Sequence, residues 1–292
     1  MASTDPADQA SASRAALLKV VAQALEEDAP GGDLTSALTV PEGDRVRADL
    51  RAKAPGVVAG TAAATAAFDL LAARDGGGPV RVEWNVREGD SVAPGTVLAT
   101  VSGSARTVLR AERVAINFLA HLSGVATLTR AFVEAAAPAR VLCTRKTTPG
   151  LRALEREAVL AGGGALHRAS LSDAVLIKDN HLKVAGGVGP AVRAARAGGV
   201  PVEVEVETLA QLDEALEAGA DRILLDNPSP DLVRRAVARV GDPERLEVSG
   251  GITLDSVGEL VAAGARIVSV GRLTHSAPAL DLSLEVTDVD HV

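Results

Sequence analysis

From Ala139 onward the chain alternates six short apolar runs with segments of helical periodicity, and this alternation constrains its fold more than any other feature. The runs are Val141-Leu142-Cys143, Ala174-Val175-Leu176-Ile177, Val202 to Val206, Ile223-Leu224-Leu225, Leu246-Glu247-Val248 and Ile267-Val268. Helical spacing of apolar residues fills 151–161, 188–198, 208–219, 230–240 and 254–263 between them. Strands separated by whole helices must pair in parallel through crossover connections. A closed barrel of this kind has eight strands, so six predict an incomplete α/β barrel over 139–275. The alternative is a doubly wound open sheet, but no Gly-x-Gly-x-x-Gly follows a first strand to support it.

Each run ends, on its C-terminal side, in polar residues: Arg145 and Lys146, Lys178 and Asp179, Asp226 and Asn227, Ser249-Gly250-Gly251, and Gly271-Arg272. In a parallel barrel those ends converge on the face that carries the active site. In Val202-Glu203-Val204-Glu205-Val206-Glu207, alternation at period two places three carboxylates on one face and three valines on the other. The valines are expected to meet helices and the glutamates the barrel interior, where buried carboxylates need cations or a metal. An edge strand with a solvated acidic face is the competing reading. Arg145, Lys146, Arg152, His167, Arg168 and Lys178 supply the matching positive charge. Arginine forks suit carboxylates and lysine offers a compact charge, so the cluster suits a ligand bearing carboxylates and phosphates. The glycines after the last two strands leave backbone N–H groups open for a phosphate.

The first half reads differently. Residues 1–12 are rich in Ala, Ser and Asp and are expected as a disordered tail, with a helix following from Ala15 to Leu25. From Val46 to about Val101, β-prone runs separated by Gly and Pro, with a helix at 61–73, predict a small β-rich domain spanning 13–111. Val86 to Leu98 looks like part of a biotinyl or lipoyl carrier but has no Lys to modify; Gly89-Asp90 and Pro94-Gly95 explain it as turn chemistry. Residues 112–138 predict bridging helices, interrupted near Ser123-Gly124.

A formal charge of −8 argues against generic nucleic-acid or anionic-membrane binding. One cysteine, Cys143, excludes an internal disulfide and reads as a buried thiol. With no basic, apolar leader and no run of membrane-spanning length, a soluble cytoplasmic protein is expected.

Thr144-Arg145-Lys146-Thr147-Thr148-Pro149-Gly150, His167-Arg168, Leu176 to His181, Val202 to Glu205, Leu224 to Asn227, Glu247 to Thr253 and Ser269 to Leu284 together resemble the quinolinate phosphoribosyltransferases. Gly32 to Ser36 and Glu112 to Thr127 match as well, so the resemblance runs from about residue 14 to 285. One departure is Leu166, where the family often has Asn. The resemblance implies an open-faced α/β sandwich domain ahead of the incomplete barrel, with residues 276–292 returning to the sandwich. It implies transfer of phosphoribose from phosphoribosyl pyrophosphate to quinolinate with loss of CO2, in NAD biosynthesis. It also implies Mg2+ and a homodimer in which Arg113 reaches the neighbour's site. By motif position, Arg145, Lys146, His167, Arg168 and Lys178 would contact quinolinate and pyrophosphate. Glu205 and Asp226 would serve the ribose and the metal, acting in catalysis with Lys146, and Ser249, Gly250, Gly251 and Gly271 would cradle the 5′-phosphate. The rival readings are a related family associated with molybdenum transport and a non-catalytic carrier.

Overall fold

The structure, a computed structural model, describes residues 6–291, with side chains from Arg14 onward. In chain order the elements are α1 (Pro6–Asp28), α2 (Leu34–Thr39), β1 (Arg45–Ala52), β2 (Gly56–Val57), α3 (Thr61–Asp75), β3 (Arg81–Trp84), β4 (Ser91–Val92), β5 (Val97–Ser104) and α4 (Ala105–Ala135). There follow β6 (Arg140–Leu142), α5 (Arg152–Ala161), β7 (Val175–Ile177), α6 (Asp179–Ala185), α7 (Val188–Arg196), β8 (Val202–Val206) and α8 (Leu209–Glu217). The last are β9 (Arg222–Asp226), α9 (Pro230–Val240), a 3-10 turn at Pro243–Arg245, β10 (Leu246–Ser249), α10 (Leu254–Ala262), β11 (Ile267–Ser269), α11 (Arg272–His275) and β12 (Leu282–Asp290). Two compact units result: one runs through Leu128 and includes Thr148–Gly162 and the chain from Ala277, the other is Thr129–Thr147 with Gly163–Ser276.

The first unit is built on an antiparallel sheet in the order β12-β1-β5-β3. In β1 the period-two alternation buries Val46, Ala48, Leu50 and Ala52, while the residues between them are exposed or half-buried. One face of such a sheet is covered and the other is open. From α3, Phe68 and Leu71 are fully buried, and Thr65 accepts a hydrogen bond from Trp84 Nε1 on β3 at 3.0 Å. The carrier-like segment is turn chemistry: Gly89 and Gly95 adopt left-handed φ of 86° and 87°. Glu88 accepts from the amides of Gly60 and Thr61 at the start of α3.

Three expectations are corrected here. Helix α1 begins at Pro6, inside the segment read as a disordered tail, whose residues 1–5 lie outside the described ones. Helix α4 runs unbroken through Ser123-Gly124 and starts at Ala105 rather than at 112. That pair serves packing: Ser123 Oγ donates to Ala59 O at 3.1 Å and accepts from Ala59 N at 3.0 Å. A side chain on Gly124 would meet the carbonyl of Pro278, with the carbonyl carbon at 2.9 Å. Finally, Thr148–Gly162, read as the start of the barrel, belongs to the first unit. Its Glu155 is fully buried and bonds His121 Nε2 of that unit at 2.8 Å, which ties α5 to α4.

The second unit holds six parallel strands in the order β6-β11-β10-β9-β8-β7. First strand pairs with last, as in a barrel, but β6 and β7 do not pair: β6 makes only an isolated bridge, from Leu142 to Ala165 in the segment ahead of β7. The barrel is therefore incomplete. Val202, Val204 and Val206 of β8 are each 1% exposed or less. Burial of that kind contributes roughly 1.5–3 kcal/mol per side chain. The register aligns Glu203 with Leu176 and Arg222, and Leu224 with Glu205 and Glu247, so these residues share the opposite face. Glu207 departs from the pattern: it lies past the strand end, exposed, with its amide donating to Gln211 Oε1 at 2.9 Å.

Candidate active site at the strand ends

Two groupings form at the C-terminal ends of the parallel strands, and a third involves the loop ahead of β7. The first joins β7, β8 and β9. Lys178, at the N-cap of α6, makes an ion pair with Glu205 Oε2 of β8. Asp226 ends β9 close enough to this pair to feel it: burial first, and then the charge of Glu205, raise its pKa, while Lys178 opposes. Asn227 donates from Nδ2 to Asp226 Oδ2 at 2.6 Å and takes a left-handed φ of 48°. Two carboxylates share one ammonium here, and Asp226 is only half-buried, so a cation from solvent could relieve the excess charge.

The second grouping is a cleft of about 230 Å³ lined by Lys146, Ser249, Gly250, Gly251 and Gly271 among others. It is smaller than the roughly 300–1,000 Å³ usual for a drug-sized ligand, and so suits one small anionic group. Gly250 is required twice over: its φ is 89°, and a Cβ would lie 2.6 Å from Asp226 Oδ1 and collide with the Asn227 amide. A Cβ on Gly271 would stand 3.2 Å from Lys146 Cδ. Thr274, almost fully buried, donates from Oγ1 to Lys146 O at 2.8 Å and so holds the strand end that carries Arg145 and Lys146. Arg272, already marked as a polar strand end, also lines this cleft, as do Thr144, His275 and Ser276, which the sequence does not single out. Arg272 and His275 lie in α11, which is too short to show a helical period.

The third grouping is a pair of like charges. Burial, and next the charge of Arg145, lower the pKa of Arg168, with Glu203 and Asp173 opposing. Arg168 Nη1 donates to Ala174 O at 3.0 Å. Two guanidinium groups whose charges oppose one another suit an anionic ligand.

His167 was expected beside these cations, but its ring is turned towards the barrel interior. Its Nε2 lies 3.2 Å from Glu203 Oε2 and 3.5 Å from Glu247 Oε2. Glu247 is 1% exposed and neither of its oxygens has a hydrogen-bond partner among the described residues. Burial, and then the charge of Glu203, push its carboxyl up to about 7. The hydrogen bond to Glu203 and both carboxylate charges raise the pKa of His167 against burial. Its Nδ1, however, accepts the amide of Arg168 at 2.7 Å, which holds that nitrogen unprotonated. The ring proton therefore sits on Nε2. The ligand atoms of His167, Glu203 and Glu247 lie within 4.8 Å of one another, as a metal site requires. A proton on Nε2 leaves no lone pair there for an ion, so Glu205 and Asp226 are the better candidates for a metal. Arg113, the remaining expected residue, is exposed on α4 in the first unit.

Family models match nearly the whole chain: quinolinate phosphoribosyl transferase, N-terminal domain, over residues 33–123, and the C-terminal domain of the same enzyme over 125–285. The chain belongs to the quinolinate phosphoribosyltransferase family. It is 42% identical to a probable carboxylating nicotinate-nucleotide pyrophosphorylase of Bacillus subtilis, over 89% of this chain and 90% of that one. A chloroplastic carboxylating nicotinate-nucleotide pyrophosphorylase of Oryza sativa is 39% identical over 92% of this chain and 77% of its own length. Among solved structures, the nicotinate-nucleotide pyrophosphorylase from Francisella tularensis superposes with a TM-score of 0.87 at 34% identity, covering 94% of this chain and 97% of that one. The phosphoribosyltransferase fold is thus an incomplete α/β barrel accompanied by an antiparallel sheet with its helices, as the sequence predicts.

Proposed function

We propose that the strand-end groupings of the barrel carry out the reaction of this family: quinolinate and phosphoribosyl pyrophosphate give nicotinate mononucleotide, pyrophosphate and CO2, a step of NAD biosynthesis. The observation that carries this reading is the juxtaposition of the Lys178–Glu205–Asp226 group with a glycine-lined cleft holding Lys146. The substrates bring two carboxylates and several phosphate charges of roughly −1.5 to −2 each at neutral pH. Paired Arg145 and Arg168 suit the dicarboxylate. Lys146, Lys178 and the open amides of Ser249, Gly250, Gly251 and Gly271 suit the phosphates.

As the ring nitrogen attacks C1 of the ribose, the bond to pyrophosphate breaks and the sugar gains oxocarbenium character, which the Glu205 carboxylate stabilises. The nitrogen then carries a positive charge. It draws the electron pair of the adjacent carbon–carboxylate bond onto the ring, CO2 leaves, and the ring carbon takes up a proton. Glu205 and Asp226 would hold Mg2+, which when bound neutralises the departing pyrophosphate. The protein's own part is to place the reactants and balance their charge.

The homodimer, with Arg113 completing the neighbour's site, belongs to the same reading. Arg113→Ala and Lys178→Ala homodimers are each nearly inactive on this view. Mixed with subunit exchange, they regain about a quarter of wild-type activity, because one site of each heterodimer collects both lesions and the other none. Heterodimers that stay inactive would place Arg113 in its own subunit's service. A cytoplasmic location accords with the absence of any cysteine pair.

The reaction itself is tested with carboxyl-labelled quinolinate, phosphoribosyl pyrophosphate and Mg2+. The expected result is one CO2 and one nicotinate mononucleotide per pyrophosphate. Pyrophosphate release without CO2 would point to a different nitrogen base and to the molybdenum-associated relatives.

A further inference from the structure

Glu203 is not needed by the reaction as derived, yet it is buried on a central strand with one oxygen, Oε1, lacking any hydrogen-bond partner among the described residues. Keeping such a group costs stability that an apolar side chain would not. What it touches is His167, through Nε2 at 3.2 Å. The ring's other nitrogen accepts the amide of Arg168 at 2.7 Å. Beyond Arg168 the loop is closed by its own contacts: Asp173 Oδ2 accepts from the amides of Ala169 at 2.6 Å and Ser170 at 3.0 Å, and the Arg168 guanidinium donates to Ala174 O. A chain of hydrogen bonds thus runs from the barrel interior through one imidazole to the backbone of Arg168, one member of the cationic pair.

We infer that Glu203 is a positioning residue: by accepting from Nε2–H it fixes the tautomer and plane of His167, so that Nδ1 anchors the turn that aims the Arg168 fork. A strand buried on both faces is a firmer base for this than the loop itself. The carboxylate of Glu247 behind the ring, 3.5 Å from Nε2, favours the same proton position. The inference rests on Arg168 meeting quinolinate, and the two fail separately.

Three measurements test it. Long-range nitrogen–proton correlation spectra of the isotopically labelled enzyme are expected to show the His167 proton on Nε2 in the wild type and in Glu203→Gln, whose amide oxygen still accepts it. In Glu203→Leu the tautomers mix, and KM for quinolinate rises roughly tenfold as the fork loses its aim, while KM for phosphoribosyl pyrophosphate changes less than about twofold. Glu203→Leu leaves the His167 Nε2–H without its acceptor and is expected to melt below the wild type, whereas Glu203→Gln, which still accepts, is not. A wild-type ring protonated on Nδ1 overturns the inference whether or not the leucine variant folds. So does a leucine variant whose two KM values rise together. If Arg168→Ala leaves quinolinate binding intact while His167 keeps its Nε2 proton, it is the assignment of Arg168 that fails.

Discussion

Glu203 and Glu205 are two residues apart on one strand and point the same way, yet their surroundings differ sharply. Glu205 lies at the strand's C-terminal end, where Lys178 neutralises it and Asp226 stands close by. Glu203 lies one layer deeper, with a histidine and a second buried carboxylate for company. Depth along the strand, rather than residue type, separates a carboxylate that can meet a ligand from one that can only hold another side chain. The barrel enforces this because side chains of alternate residues stack in layers, and only the top layer opens onto the active face.

The largest effect is expected at the top layer. Glu205→Gln keeps the shape and removes the charge, so kcat should fall by about 10² to 10³, the usual cost of losing one electrostatic stabiliser, with both KM values little changed. Unchanged turnover would break the comparison there. Next in size, Arg168→Ala should raise KM for quinolinate roughly 10- to 100-fold and KM for phosphoribosyl pyrophosphate much less, since a bidentate contact to a carboxylate is lost. Equal increases would show that the arginine pair does not separate the two substrates.

At Glu247 the deep layer shows itself in stability rather than in turnover or binding. The carboxyl of Glu247 rises from an ordinary 4.5 to about 7 in the folded chain. Between those values the unfolded chain has released a proton that the folded chain keeps, so stability falls as the pH rises through that window, by up to about 3 kcal/mol. Below it both states are protonated and nothing is lost. Glu247→Gln should therefore match the wild type in urea denaturation near pH 4.5 and exceed it at pH 8. A variant less stable than wild type at pH 8 would mean that the carboxylate is held there by a cation.

Much of the top layer was legible in the sequence, because strand ends announce themselves: apolar runs stop at Arg145, Lys178, Asp226 and Ser249, and period-two alternation sorts valines from glutamates. The deep layer was not. Glu247 sits inside the apolar run Leu246-Glu247-Val248, and nothing local says that it meets Glu203 and His167 from other elements. The unbroken course of α4 was hidden for a related reason, since Ser123-Gly124 reads as a helix break until Ala59 and Pro278 are seen against it. Short elements were missed because four residues of α11 or six of α2 carry no period, and β12 because its side chains are mostly exposed.

Calorimetric titration of quinolinate into Glu205→Gln and Glu203→Leu, side by side with the wild type, tests the division of labour most directly. The account predicts that Glu205→Gln binds quinolinate as the wild type does while turning over slowly, and that Glu203→Leu binds it roughly tenfold more weakly. Equal weakening in both variants, or none in Glu203→Leu, would contradict it.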